Sequence, residues 1–205
     1  MNGFLENMKG SDAIPARHRK NFRKEKIMPI EKEKFTADDA ERLFCQVRNI
    51  EEAAEAAKIF IECTSPPDLE GESFFNMTER TLLQSLIEYQ RLYRKSQPHK
   101  MICQSVYELL TESCICDPAY QDWVSMRRIL PKSTAEIPAP MSKLDKRFRK
   151  AEKKNKESEV VASYKTFKAA SGIMEDSVYI SLMQRFQHLL SKAASIENCC
   201  GAGNI

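Results

Sequence analysis

Two runs of lysine and arginine are the residues of this chain whose types and spacing could do chemistry. In the first, Arg17, Arg19, Lys20, Arg23, Lys24 and Lys26 fall within ten residues. In the second, KLDKRFRKAEKKNK, the cations Lys143, Lys146, Arg147, Arg149, Lys150, Lys153, Lys154 and Lys156 are opposed only by Asp145 and Glu152. Wound as a helix, the second run turns Leu144, Phe148 and Ala151 inward. Lys143, Lys146, Arg147, Lys150, Lys153 and Lys154 then share much of the outer surface. Such a ridge can neutralise phosphates and release their counterions, giving an affinity that falls steeply with salt. Similar runs also serve as solvated faces that only keep a protein soluble. Neither run is rich in aromatic residues, so stacking on bases is not suggested.

The other reactive side chains do not converge. Seven cysteines stand at 45, 63, 103, 114, 116, 199 and 200, an odd number, and Cys45, Cys63 and Cys103 fall inside expected helices. Free thiols in a reducing cytoplasm are the economical expectation, with the membrane reached only through partners. Cys114-Ile-Cys116 has no second Cys or His pair at zinc-site spacing, so no metal is expected. His18, His99 and His188 are isolated from any nucleophile. Neither a G-x-x-x-x-G-K-[ST] phosphate loop nor G-x-G-x-x-G occurs, and no cofactor or small-molecule substrate is expected. The chain reads as a non-enzyme; a catalytic reading requires a convergent polar pocket that the sequence does not display. No run of about 18 apolar residues suggests a transmembrane segment.

Charge is unevenly spread. The net charge is +3, yet residues 1–34 carry nine Lys/Arg against five Asp/Glu, leaving −1 for the remainder. Any anion binding must therefore come from local patches rather than from the whole molecule.

The elements that position these residues are helical. Six Gly and nine Pro in 205 residues are too few for a loop-rich β protein. Thr36 suits an N-cap with Asp38 and Asp39 in the first turn, and Asn49 with Glu52 suits another. Pro66-Pro67 ends the second helix. Phe75, Thr78, Leu82, Leu86, Tyr89 and Tyr93 recur at helical spacing, predicting the longest helix over about Phe74 to Arg94 as a core spine. A shorter helix follows with Pro98 in its first turn, and Asp117-Pro118 opens the next. LPKSTAEIPAP reads as a linker before a charged helix over about Ser142 to Asn155. Two further helices carry the stripes Val160, Tyr164, Phe167, Ala170 and Val178, Leu182, Phe186, Leu189, with Gly172 as a C-cap between them. The expected fold is an all-α bundle of about six to eight helices over residues 35–194. A basic flexible arm is expected at 1–34 and a disordered tail at 195–205.

The segments AAKIFIECT, GESFFNMTERTLLQSLIEYQ, SKLDKRFRKAEKKN and YKTFKAASGIMEDSVYISLMQRF follow one another in a telling order. In that order the chain, over roughly residues 45–192, resembles the inserted all-α domain of type IV secretion coupling proteins, the conjugative DNA-transfer ATPases of Gram-positive mobile elements. The ATPase core and membrane anchor of that family have no counterpart here, so ATP hydrolysis and DNA pumping are not implied. The resemblance implies a recognition module whose partner is DNA, a relaxase or relaxosome protein, or another secretion component. Lys165 and Lys168 are expected to extend the positive surface of the 143–156 helix. Two alternatives stand beside it. One is a protein–protein adaptor without nucleic-acid affinity, working through an apolar groove around Trp123, Met126 and Ile129. The other is the remnant of a truncated coupling protein.

Overall fold

The computed structural model describes residues 35–65, 74–93, 101–129, 137–155 and 158–201, with the backbone alone described over 192–201. The arm at 1–34, with Arg17, Arg19, Lys20, Arg23 and Lys24, lies outside the described residues, as do Pro98 and Lys156.

Local chemistry starts each helix. Thr36 and Asp39 form a reciprocal capping box before α1 (Ala37–Cys45). Asn49 accepts from the Glu52 amide at 2.8 Å before α2 (Ile50–Thr64). The Glu52 carboxylate reaches one residue further back than expected, to the Arg48 amide at 2.8 Å. α3 (Phe74–Tyr93) follows, then α4 (Ile102–Thr111), a 3-10 turn at Cys114–Cys116 and α5 (Pro118–Ile129). α6 (Lys143–Lys154) opens with a second capping box, Ser142 with Asp145. α7 (Glu159–Ser171) ends at Gly172, whose φ of 48° lies where a residue with a Cβ is strained. One 3-10 turn later comes α8 (Glu175–Gly201).

The result is an all-α bundle, with no strand among the described residues. α3 is the spine. It packs against α2, α4, α7 and α8, and Leu82, Leu83, Leu86 and Ile87 are buried along it. Phe60 of α2 stacks on Phe186 of α8 with ring centroids 4.7 Å apart, and Phe44 of α1 closes the cluster at 5.5 Å from Phe60. Full burial of each such ring contributes on the order of 1.5–3 kcal/mol.

Three expectations change. α8, at 27 residues, exceeds the 20 of α3, because nothing between Glu175 and Cys200 breaks a helix. Residues 195–201, expected as tail, continue α8, while 202–205 lie outside the described residues. On α7 the fourth position of the buried stripe is Ser171, and Ala170 is exposed.

Long-range capping locks the layers together. Met101 offers no side-chain cap to α4, and Glu41 of α1 replaces it. Its carboxylate accepts from the Ile102 and Cys103 amides at 2.9 and 2.8 Å. Negative charge at a helix N-terminus also suits the dipole.

Candidate functional site

The basic helix α6 is held by its inner side. Leu144, Phe148 and Ala151 are buried, as their spacing predicts. The Phe148 ring lies parallel to Tyr164 of α7, centroids 3.8 Å apart. The Leu144 amide donates to the Glu112 carbonyl at 2.9 Å, so the end of α4 satisfies a free donor in the first turn of α6. The Glu112 carboxylate grips Arg147 with both oxygens, Nη2 at 2.6 Å. That pairing holds the guanidinium firmly protonated.

The cations expected on one positive surface divide into two sets. Lys143, Lys146, Lys150, Lys153 and Lys154 are exposed, and none has an ion-pair partner among the described residues. Arg147, Lys165 and Lys168 are committed internally. Lys165 pairs with Glu152. Lys168 lies between Asp145, at 3.3 Å, and Glu175. The expected extension of the ridge onto α7 is therefore cancelled locally by acids from α6 and α8.

Two tyrosines join the first set. A pocket of about 300 Å³ is lined by Tyr89, Tyr93, Lys146, Arg147, Lys150, Ala151 and Lys154. Tyr89 leans on Phe148 at 5.1 Å, which brings the end of α3 against α6, and Tyr93 lies against Tyr89 at 4.7 Å. Both rings are half-buried. The sequence stripe assigns them to the core, because periodicity marks a face of α3 without marking where the core ends. Their i, i+4 spacing at the end of that helix was the available signal.

A second cleft, of about 450 Å³, opens on the other flank of α6. Trp123, Met141 and Val161 line it above a polar floor of Asp145, Tyr164, Lys168 and Glu175. This is the convergent polar pocket that a catalytic reading requires, so its electrostatics decide what it can do. Tyr164 donates to Asp145 at 2.8 Å and meets the Tyr179 hydroxyl at 3.1 Å. Burial pushes Asp145 up, yet Ser142, Lys168 and Tyr164 together bring it below the usual carboxylate range. Burial opposes the charge on Lys168, but its bonds to the two acids hold it above its ordinary value. Glu175 is raised, because burial and the neighbouring acids outweigh Lys168. Burial also raises Tyr164 and pushes the Cys114 thiol up to about 12.

These shifts leave the floor without an activated nucleophile. The lysine stays an ammonium, the tyrosine stays neutral and the cysteine stays a thiol. The floor acts as one cation shared by two acids. Lys168→Met should leave both acids facing each other, raised by burial and repulsion. The folded variant then binds protons that the unfolded chain, with carboxyls near ~4, does not bind above that pH. Its stability should fall as pH rises from about 5 to 7. At pH 7 it should lie about 2 kcal/mol below the parent, a figure reduced because a third of the Lys168 side chain meets water. Urea unfolding of both proteins at pH 5 and 7 measures this. A gap that does not change with pH counts against the shared-cation description.

Among the described residues no group of acids, cysteines and histidines is placed to hold a metal ion. No described helix is long and apolar enough to cross a membrane. Among the described residues Cys45, Cys63, Cys103, Cys114 and Cys116 form no disulfide with one another, and His188 lies on the surface of α8. Comparison of the chain with family models, with curated proteins and with solved structures finds no match in any of the three.

Proposed function

We propose that this chain is a non-enzymatic recognition module of a conjugative DNA-transfer system, and that it takes nucleic acid along the outer face of α6. One observation carries the reading: Lys146, Lys150 and Lys154 have no acid partner among the described residues and line one pocket with Tyr89 and Tyr93. Successive lysines four apart stand about 6 Å from one another along the axis. Phosphates are met by the ammonium groups, and an unpaired base has a ring to lie against. The order of the helical segments, similar to that in coupling-protein all-α domains, supplies the conjugative context. The partner is DNA itself or a DNA-bound relaxase or accessory protein.

Titration of labelled single-stranded and duplex DNA against the purified chain, at several salt concentrations, tests the reading. Five phosphate contacts, from Lys143, Lys146, Lys150, Lys153 and Lys154, give a slope of about −3.5 for single strands and about −4.5 for duplex. Tyr93→Ala should weaken single-strand binding by about 1–3 kcal/mol and leave duplex binding nearly unchanged. Tyr93→Phe should retain both. Flat titrations for both forms of DNA overturn the reading and leave an adaptor that binds protein alone.

A further inference from the structure

α5 is the one α-helix among those with side chains described throughout that buries none of its residues. It is held to the bundle by polar bonds near its start. The Tyr120 hydroxyl donates to Asp176 of α8 at 3.0 Å, Gln121 reaches the Ile115 carbonyl at 2.8 Å, and the Trp123 indole N–H donates to the Ile137 carbonyl at 3.0 Å. Beyond Trp123 the helix projects Met126 and Ile129 into solvent, the latter 76% exposed. Across from it the 3-10 turn after α7 presents Ile173, which is fully exposed. Between the two runs a groove of about 410 Å³, lined by Tyr120, Trp123, Val124, Arg127, Arg128 and Ile173.

Met126 and Ile129 do not line this groove; its apolar wall is Tyr120, Trp123, Val124 and Ile173, and an apolar groove open to solvent marks a contact surface more often than a single exposed side chain does. The charges beside it say what kind of partner fits. Arg127 lies over the Trp123 ring at 5.1 Å, and neither Arg127 nor Arg128 has an acid partner among the described residues. The acids at the base of the groove are already engaged, Glu175 by Lys168 and Asp176 by Tyr120. A segment entering here meets apolar walls and two available guanidinium groups at one end. Guanidinium binds carboxylates with two parallel hydrogen bonds.

We infer that the groove between α5 and the 172–174 turn docks an acidic segment of a protein partner, with bulky apolar side chains inserted between Ile173 and Val124 and carboxylates on Arg127 and Arg128. This surface uses none of the residues assigned to nucleic acid, so one chain can hold a protein and a strand together.

Selection of random twelve-residue peptides displayed on phage, against the full chain, tests the inference. Enriched peptides should combine Asp or Glu with Leu, Ile, Phe or Trp. Synthesised singly, they should bind Ile173→Asp and the double variant Arg127→Glu/Arg128→Glu at least tenfold more weakly than the parent. All three positions are exposed, so both variants should match the parent in DNA titration. Ile173→Asp should also match it in thermal unfolding, while the double variant should unfold slightly below it, because Arg127 and Arg128 stand in the last turn of α5. Enriched peptides without acids, peptides that bind the variants unchanged, or no enrichment over a blank support would each overturn the inference. So would a concentration-dependent dimer of the chain that Ile173→Asp dissociates, since the groove would then be a contact between copies. DNA titrations on the same samples report separately on the α6 reading.

Discussion

Arg185→Met is expected to destabilise the bundle by about 3–5 kcal/mol, the loss typical of breaking one side of a buried ion pair. Arg185 of α8 is 10% exposed and Glu79 of α3 is fully buried. The two carboxylate oxygens accept from the guanidinium at 3.2 and 2.9 Å. Its remaining nitrogen serves the end of α2. Thr64 and Ser65 donate their hydroxyl protons to the carbonyls of Phe60 and Ile61, at 2.7 and 2.6 Å. Their oxygens then accept from Arg185 at 3.2 and 3.1 Å. The last turn of a helix leaves carbonyls without partners and carries partial negative charge, so a cation there suits α2 as well as Glu79. Methionine keeps the aliphatic length but strands Glu79 as a buried charge. Arg185→Met with Glu79→Leu should recover most of the loss, because no charge then remains buried. Urea unfolding of the two single variants and the double variant checks this. Additive losses in the double variant would show that the two groups act independently and not as a pair.

Arg185 also shows where reading the sequence ends. Its partners lie 106 and about 120 residues away along the chain. No periodicity connects such positions. What is local was readable. Thr36 and Asn49 announce helix starts because the amides they satisfy lie three residues on, and Gly172 announces a helix end because the backbone there turns where a Cβ would be strained. Leu144, Phe148 and Ala151 announce the inner face of α6 because helical spacing alone selects it. The charge state of the ridge is a different kind of fact. Lys165 and Lys168 look like Lys150 and Lys154 as text. Only folding places Glu152 beside the first and Asp145 with Glu175 around the second. Arg147 loses its freedom to Glu112, 35 residues away. The polar cleft was illegible for the same reason, since its floor is gathered from α6, α7 and α8.

Folding leaves five lysines of α6 without acid partners among the described residues, and Lys146, Lys150 and Lys154 are the three that line the pocket with the tyrosines. Exchanging these three for glutamate should weaken DNA binding about a hundredfold at 0.1 M salt. Each phosphate contact contributes roughly 0.7–0.9 log units there relative to 1 M salt, and three contacts sum to a little over two. The slope against log salt should shrink by about 2–3 for the same reason. Arg147 is left intact, because removing it would free the Glu112 carboxylate and loosen α6 from α4. Glutamate in the last turn of α6 opposes the helix dipole and costs up to about 1 kcal/mol. The matching triple glutamine variant separates that effect from binding: it should lose affinity in the same direction while keeping the parent's thermal unfolding. A triple glutamate variant that unfolds like the parent and binds DNA with undiminished affinity and slope would identify α6 as a solvated face. The adaptor surface on α5 would then be the better place to look for what this bundle holds.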